Sequence, residues 1–181
     1  MQTLALAADN AAETSIAVSD DGHRWALVNA TADLGSALRE HATLREAALS
    51  VVLLDADVAH VAGLLGLRDG PPLEVWATPN VFEDLTTSLP LLTVLQHYCG
   101  VRWHLIPVVG NQRSAQFSIA ALPGLRFTAS ALDGAAPPYS VHRRDEVGNR
   151  IGLQVEDLRD GRCIAVGAGT SQAPASLETA P

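Results

Sequence analysis

The stretch from residue 51 to residue 65 most constrains what this chain can fold into, because it joins an apolar run to a helical pattern through a polar loop. Val51-Val52-Leu53-Leu54 is typical of a buried strand. Asp55, Asp57 and His60 follow within six residues, and an apolar stretch at helical spacing comes next. Side chains grouped at the C-terminal end of a strand are held by a rigid backbone, which favours a metal or ligand site.

The same loop has a simpler structural interpretation, and spacing alone leaves both open. Asp57 is a suitable N-cap for the following helix, with His60 on its first turn. As metal ligands, two carboxylates and an imidazole suit Fe(II), Mn(II) or Zn(II). A usable site would need about one more histidine. The candidates for it are His23, His97, His104 and His142.

Composition and charge exclude several classes of function. The chain has 181 residues, of which 48% are hydrophobic and 18% charged, as expected for a globular domain with a real core. It contains 12 arginines and no lysine against 20 acidic residues, and its net charge of −8 argues against nucleic acid and anionic membrane surfaces. No apolar run reaches the roughly 20 residues that span a bilayer, and the N-terminus lacks the basic region of a signal peptide. We therefore expect a cytoplasmic protein without membrane insertion.

The two cysteines do not indicate a metal site. Cys99 and Cys163 are far apart in the chain, and neither stands in a zinc-knuckle pattern. Because a reducing cytosol also disfavours a bridge between them, we expect both to be small buried hydrophobes.

The order of predicted elements indicates an α+β protein. Asp20-Asp21-Gly22-His23 predicts a hairpin turn, since Asp-Gly between alternating apolar runs favours one. Strands are predicted over 14–19, 24–29, 50–54, 73–77, 101–108, 115–121, 125–132, 149–156 and 162–166. Helices are predicted over 34–44, 61–67 and 81–95, the last broken at Pro90, and Thr78-Pro79 indicates a helix start with Pro at its first position. We expect an irregular N-terminus over 1–13, one domain over 14–169 and a disordered tail over 170–181.

Five sequence blocks, in order over about 155 residues, carry a resemblance to a known family. They are SIAVSDDGHRWALVNA, VVLLDADVAHVAGLLGLRDG, VWATPNVFEDL, LRFTASALDGAAPPYS and GNRIGLQVEDLRDGRCIAVGAG. The chain resembles the protein B family of pyrroloquinoline quinone (PQQ) biosynthesis, a branch of the metallo-β-lactamase fold. The resemblance implies an αββα sandwich, of which this chain would form roughly the first half.

The chain departs from the family pattern at three points. The family pattern at the end of the central strand is Asp-x-x-x-Asp-His. In this chain Ala59, not an aspartate, directly precedes His60. The Cys-rich zinc knuckle and the second half of the family are also missing. The resemblance therefore implies a metal site at Asp55, Asp57 and His60 that binds Fe(II) or Zn(II) weakly, with catalytic residues unassigned.

What the resemblance implies about function is a role in PQQ biosynthesis. The family has been proposed to hydroxylate the tyrosine ring of a Glu–Tyr precursor with iron, and is also described as helping to transport PQQ or its precursor. Substrate contacts are expected from Tyr139, His142, Arg143 and Arg144, next to the APPYS loop. The alternative is a non-catalytic binding or carrier module. A sheet face left uncovered by the missing half predicts a homodimer or a partner protein.

Overall fold

The computed structural model describes residues 1–6, 15–45, 47–141 and 143–167. Ten strands lie over β1 Gln2–Leu6, β2 Ser15–Ser19, β3 Arg24–Val28, β4 Ala48–Val52, β5 Leu73–Ala77, β6 Val101–Leu105, β7 Ser114–Phe117, β8 Leu125–Ala131, β9 Ile151–Asp157 and β10 Cys163–Val166. Helices lie over α1 Leu34–Glu40, α2 Ala42–Arg45, α3 Val58–Val61, α4 Pro79–Glu83 and α5 Leu91–Gln96, with a 3₁₀ segment over Ala62–Leu67 and a π turn over Asp84–Ser88.

The strands form two sheets. The first has the order β1-β2-β3-β4-β5-β6, antiparallel from β1 to β3 and parallel from β3 to β6. The second is antiparallel, with the order β10-β9-β8-β7. Because parallel strands end at the same edge of a sheet, the loops after β3, β4, β5 and β6 meet there.

Two apolar cores divide the molecule into layers. One core joins the helices to the first sheet and includes Leu34, Val61 and Leu85. The other lies between the two sheets, where Val28 and Val52 pack with Phe127, Leu153 and Val155 among others. The described residues thus form a helix layer, a sheet and a second sheet, which confirms the predicted α+β layering.

Local sequence signals placed most elements correctly. The strand predicted over 73–77 matches Leu73–Ala77, and Thr78 caps α4 with Pro79 at its first position. The Asp-Gly hairpin joins β2 to β3, and the predicted break at Pro90 separates α5 from the π turn.

Other predictions need correction. Residues 2–6 of the predicted irregular N-terminus form β1, paired with β2. Residues 7–14 and the predicted tail over 170–181 lie outside the described residues. The two cysteines are not fully buried as expected: Cys99 is half-buried and Cys163 is exposed. Cys163 is exposed because it lies on the short edge strand β10 with its side chain turned outward.

The outer face of the second sheet is polar rather than apolar. Along β8 burial alternates, so that Arg126, Thr128 and Ser130 face away from the core. On the neighbouring β9, Gln154 and Glu156 face the same way. Glu156 forms an ion pair with Arg126, whose Nη1 lies 3.2 Å from Glu156 Oε2. The expected apolar face is therefore not found on this side of the sheet, because the alternation of β8 and β9 leaves their polar residues outside.

Two of the exposed apolar side chains lie on β6, an edge strand of the first sheet. Trp103 is 37% exposed and Leu105 is 49% exposed. Of the three tryptophans, only Trp25 is fully buried in the core, at 2% exposure. Among the described helices, none is long and apolar enough to cross a membrane.

Candidate functional site

The candidate site is the loop that follows β4, at the edge of the first sheet where the parallel strands end. Asp55 is buried, whereas Asp57 is exposed and caps α3: its Oδ1 accepts the Ala59 N–H over 3.0 Å. His60 lies in the last turn of α3. Asp57 therefore acts as the helix cap, as the simpler interpretation of the loop predicted, and Asp55 faces His60.

Asp55 is the centre of a small charged cluster. Its Oδ1 lies 2.7 Å from His60 Nδ1 and accepts the Asp57 N–H over 3.0 Å. Its Oδ2 lies 3.4 Å from Nε of Arg150. Both carboxylate oxygens are thus engaged by groups of this chain.

The surroundings of Asp55 favour its ionised form. Burial opposes ionisation, but the hydrogen bond and charge of His60, the Asp57 N–H and the charge of Arg150 outweigh it. Together they hold the pKa of the Asp55 carboxyl below its ordinary value. Asp55 is therefore a carboxylate at neutral pH.

The loop is held in place by the segment after β3. Asn29 adopts a left-handed backbone with φ of 62°, which asparagine tolerates better than most residues, and its Oδ1 accepts the Leu54 N–H over 3.1 Å. The Ala30 N–H donates to the His60 carbonyl over 2.7 Å, and the Gly63 N–H donates to the Ala30 carbonyl over 2.8 Å. These bonds fix both ends of the Asp55–His60 turn.

A segment over residues 132–141 and 143–150, here called the strap, crosses the same edge of the first sheet. The Tyr139 hydroxyl donates to the carbonyl of Ala56, within the candidate loop. Burial and the nearby carboxylates of Asp84, Asp57 and Asp55 raise the pKa of Tyr139, so its hydroxyl remains a proton donor at neutral pH. The strap thus brings a neutral phenol against the loop that carries Asp55.

The strap is anchored on the first turns after β5. Ser140 Oγ donates to Asp84 Oδ1 over 2.5 Å, and Arg143 Nη2 lies 2.6 Å from Glu83 and 3.5 Å from Asp84. Two hydrogen bonds from α4 add to this: Thr78 Oγ1 donates to the Gly148 carbonyl over 2.6 Å, and Asn80 Nδ2 donates to Asn149 Oδ1 over 2.9 Å.

The residues predicted to contact a substrate lie in different environments. Tyr139 lies at the candidate loop. Arg143 is only 12% exposed and its charge is met by two carboxylates, so it anchors the strap instead of facing solvent. Arg144 is exposed, and His142 lies outside the described residues.

The donor set does not fit a metal centre with three protein ligands. Within the described ranges, no three His, Cys, Asp or Glu side chains are grouped so as to hold a metal ion. Asp55 and His60 face each other, while Asp57 is used as a cap. Of the candidate fourth ligands, His104 pairs with Glu74 and stacks on Trp76, and His23 and His97 are exposed elsewhere. Structural and catalytic zinc sites take three or four protein ligands, which this arrangement lacks.

Two functional contacts were missed by sequence reasoning. Arg150 stands 95 positions after Asp55, and no local pattern indicates their ion pair. The pairing of Asn80 with Asn149 is likewise long-range. The one available signal was Gly148-Asn149-Arg150 at the start of the last of the five blocks, where polar residues directly precede a predicted strand.

We expect the contribution of Asp55 to stability to depend on pH. A carboxyl with a lowered folded pKa stabilises the fold above its unfolded pKa of about 3.9, and this contribution disappears as the pH falls through the folded pKa. Urea unfolding should show Asp55→Asn less stable than wild type by about 1.5 kcal/mol near pH 7, with the difference shrinking below about pH 4.

Asp133→Asn is the matched control, because Asp133 is fully exposed and forms only a surface pair with Arg113. Its unfolding free energy should stay within about 0.5 kcal/mol of wild type at each pH. An Asp55→Asn difference that stays constant from pH 7 to pH 3 would contradict the assignment of Asp55 as a stabilised carboxylate.

Comparison with known proteins identifies the family. The beta-lactamase superfamily domain matches residues 24–180. The chain is 45% identical over 159 residues to coenzyme PQQ synthesis protein B of Methylobacillus flagellatus, covering 83% of this chain and 51% of that protein. It is 45% identical over 172 residues to the protein of the same name from Azotobacter vinelandii, covering 90% of this chain and 56% of that protein. The chain thus spans about half the length of these curated relatives.

Solved structures agree with the sequence comparison. Zn²⁺-bound PqqB from Methylobacterium extorquens superposes with a TM-score of 0.66 at 29% identity, over 84% of this chain and 51% of that chain. The short form of human tRNase Z shares the fold, with a TM-score of 0.60 at 14% identity over 94% of this chain and 70% of that chain. The resemblance inferred from the five sequence blocks and the predicted metallo-β-lactamase fold are both confirmed. The chain belongs to the beta-lactamase superfamily, and within it resembles the coenzyme PQQ synthesis proteins B over about half of their length.

Proposed function

We propose that the chain serves PQQ biosynthesis as a binding module for PQQ or its Glu–Tyr-derived precursor, at the surface formed by the Asp55 loop and the strap. The observation that carries this proposal is the 45% identity to coenzyme PQQ synthesis protein B over 83% of the chain.

The Asp55 loop and the strap carry the groups that such a ligand would need. A precursor derived from Glu and Tyr carries carboxylates, and arginine is the preferred partner of a carboxylate in proteins. Arg150 is about half exposed, with its side chain at 49%, and Arg144 is exposed as well. Tyr139 contributes a phenol that donates to the carbonyl of Ala56, in the loop that carries Asp55. The geometry therefore supports recognition of a small acidic molecule with an aromatic ring.

A binding role is favoured over metal-dependent hydroxylation, because Asp55 and His60 alone do not make a three-ligand centre. The fold and the Zn²⁺-bound relative support metal binding in the family. Weak binding of Fe(II) or Zn(II) at Asp55, Asp57 and His60 in this chain stays a prediction. No step of the proposed function passes through a metal.

Partners and location are part of the same proposal. A homodimer or a partner protein would find exposed apolar side chains along β6, at Trp103 and Leu105, rather than on the polar outer face of the second sheet. A cytoplasmic location stays a prediction from the sequence.

Calorimetric titration with PQQ tests the proposed function. We expect PQQ to bind with a micromolar Kd. Arg144→Gln should weaken this binding about 5–10-fold, because it removes a positive charge proposed to bind a carboxylate of the ligand. The matched control is Arg126→Gln, since Arg126 lies on the outer face of the second sheet and pairs with Glu156. Equal affinities in all three proteins, or no heat of binding up to millimolar PQQ, would overturn the proposal.

A further inference from the structure

A buried carboxylate needs a counter-charge, and Asp55 finds one within its own chain. Asp55 is 7% exposed, and an unpaired charge at such a position would be strongly destabilising. Its Oδ1 is taken by His60 and the Asp57 N–H, at 2.7 Å and 3.0 Å. Its Oδ2 faces Arg150 Nε at 3.4 Å. Arg150 therefore contacts Oδ2, the carboxylate oxygen of Asp55 that does not bind His60 Nδ1 or the Asp57 N–H.

The position of Arg150 is set by the backbone. Arg150 directly precedes β9, and the next residue, Ile151, donates its N–H to the Leu54 carbonyl over 2.9 Å. The Leu132 N–H donates to the Arg150 carbonyl over 3.0 Å. The side chain lies against Gly134, where an added Cβ would meet Arg150 Cδ at 3.4 Å. Strand pairing and the strap thus direct the guanidinium to Asp55.

We propose that Arg150 is a built-in counter-cation of Asp55, which takes the place of a divalent metal at this carboxylate and weakens metal binding by the loop. The physical reason is repulsion between like charges. A metal bound by Asp55 and His60 would lie within a few ångströms of the guanidinium. Even at the dielectric constant of water, repulsion between a +1 and a +2 charge at such a distance lowers affinity by roughly tenfold or more. This inference does not depend on the proposed PQQ-binding role.

Zinc binding by charge variants tests the inference. Zn²⁺ affinity is measured for the whole chain by competition with a chromophoric chelator. Arg150→Gln and Arg150→Asn, which remove the charge but keep a polar side chain, should bind Zn²⁺ about tenfold tighter than wild type. Arg150→Lys keeps the charge and should stay as weak as wild type.

Two controls locate the effect. Arg126→Gln removes an arginine of matched exposure, with its side chain at 47%, and should leave zinc affinity unchanged. His60→Ala added to Arg150→Gln should abolish the gain, because His60 is the nitrogen donor beside Asp55. Circular dichroism establishes that each variant is folded before titration.

Three outcomes would overturn the inference. The first is neutral Arg150 variants that bind Zn²⁺ no tighter than wild type, and the second is Arg150→Lys binding as tightly as Arg150→Gln. The third outcome is measured on the wild-type chain. A nanomolar Kd for Zn²⁺, or a Tm that falls when a chelator is added, would show that Arg150 does not substitute for a metal.

Discussion

Gly63→Ala is expected to lower the free energy of unfolding by about 3 kcal/mol or more, enough to unfold a marginally stable domain. A Cβ at this position would lie 2.0 Å from the Thr31 carbonyl oxygen and 2.9 Å from the Ala30 carbonyl oxygen. Both are backbone atoms, which cannot rotate away as a flexible side chain would. The Gly63 N–H also donates to the Ala30 carbonyl over 2.8 Å, so separating the segments breaks this bond as well.

The damage should extend to the candidate site, since the Ala30 N–H donates to the carbonyl of His60. Chemical unfolding followed by circular dichroism measures the loss. Gly66→Ala is the matched control within the same 3₁₀ segment, because a Cβ there meets nothing closer than Gly35 Cα at 3.7 Å. It should be neutral or slightly stabilising, as alanine restricts the unfolded chain more than glycine does. A Gly63→Ala variant as stable as Gly66→Ala would mean that the approach of residue 63 to Thr31 is not as close as the structure has it.

Arg143→Met is expected to destabilise the protein by about 2–3 kcal/mol, because it leaves the carboxylate of Asp84 without its cation. The Asp84 side chain is 3% exposed and that of Arg143 12%, so solvent replaces little of the lost interaction. Methionine keeps most of the apolar stem, which separates loss of charge from loss of packing. The unfolding free energy is measured by urea titration.

The strap should loosen in the same variant, since Arg143 and Ser140 are both attached to Asp84. Proteolysis within residues 132–147 under native conditions should therefore be faster than in wild type. Arg126→Met is the control for losing an exposed arginine pair, and should cost less than about 0.5 kcal/mol. The double variant Arg143→Met with Asp84→Asn should recover part of the loss, because it removes the unpaired charge. If both single arginine variants have the same small effect, Arg143 is not an anchor.

These two predictions concern the same edge of the first sheet from opposite sides. Gly63 allows the segment after β3 to lie against α3, which positions His60. Arg143 holds the strap over α4, which brings Tyr139 to Ala56. The surface proposed to bind PQQ or its precursor is thus formed by two segments that are far apart in the chain.

Local chemistry in the sequence was sufficient to place most helices and strands. Asp-Gly at residues 21–22 predicted the β2–β3 hairpin, and Thr78-Pro79 predicted the start of α4. These signals work because turns and caps depend on backbone angles and hydrogen bonds within a few residues. The strand–loop–helix pattern around Asp55 could be predicted for the same reason, and so could Asp57 as a helix cap.

The composition of the site was decided by tertiary structure. Asp55 and His60 are near in sequence, but Arg150 reaches Asp55 only because β9 begins beside Leu54. Arg143 is buried against Asp84 because the strap lies on α4, and no local pattern indicates this contact. The polar outer face of β8 depended on which side of that strand met the first sheet. Sequence periodicity specifies the alternation of a strand, but the register between distant segments is chosen by packing of the whole core, which no local pattern records.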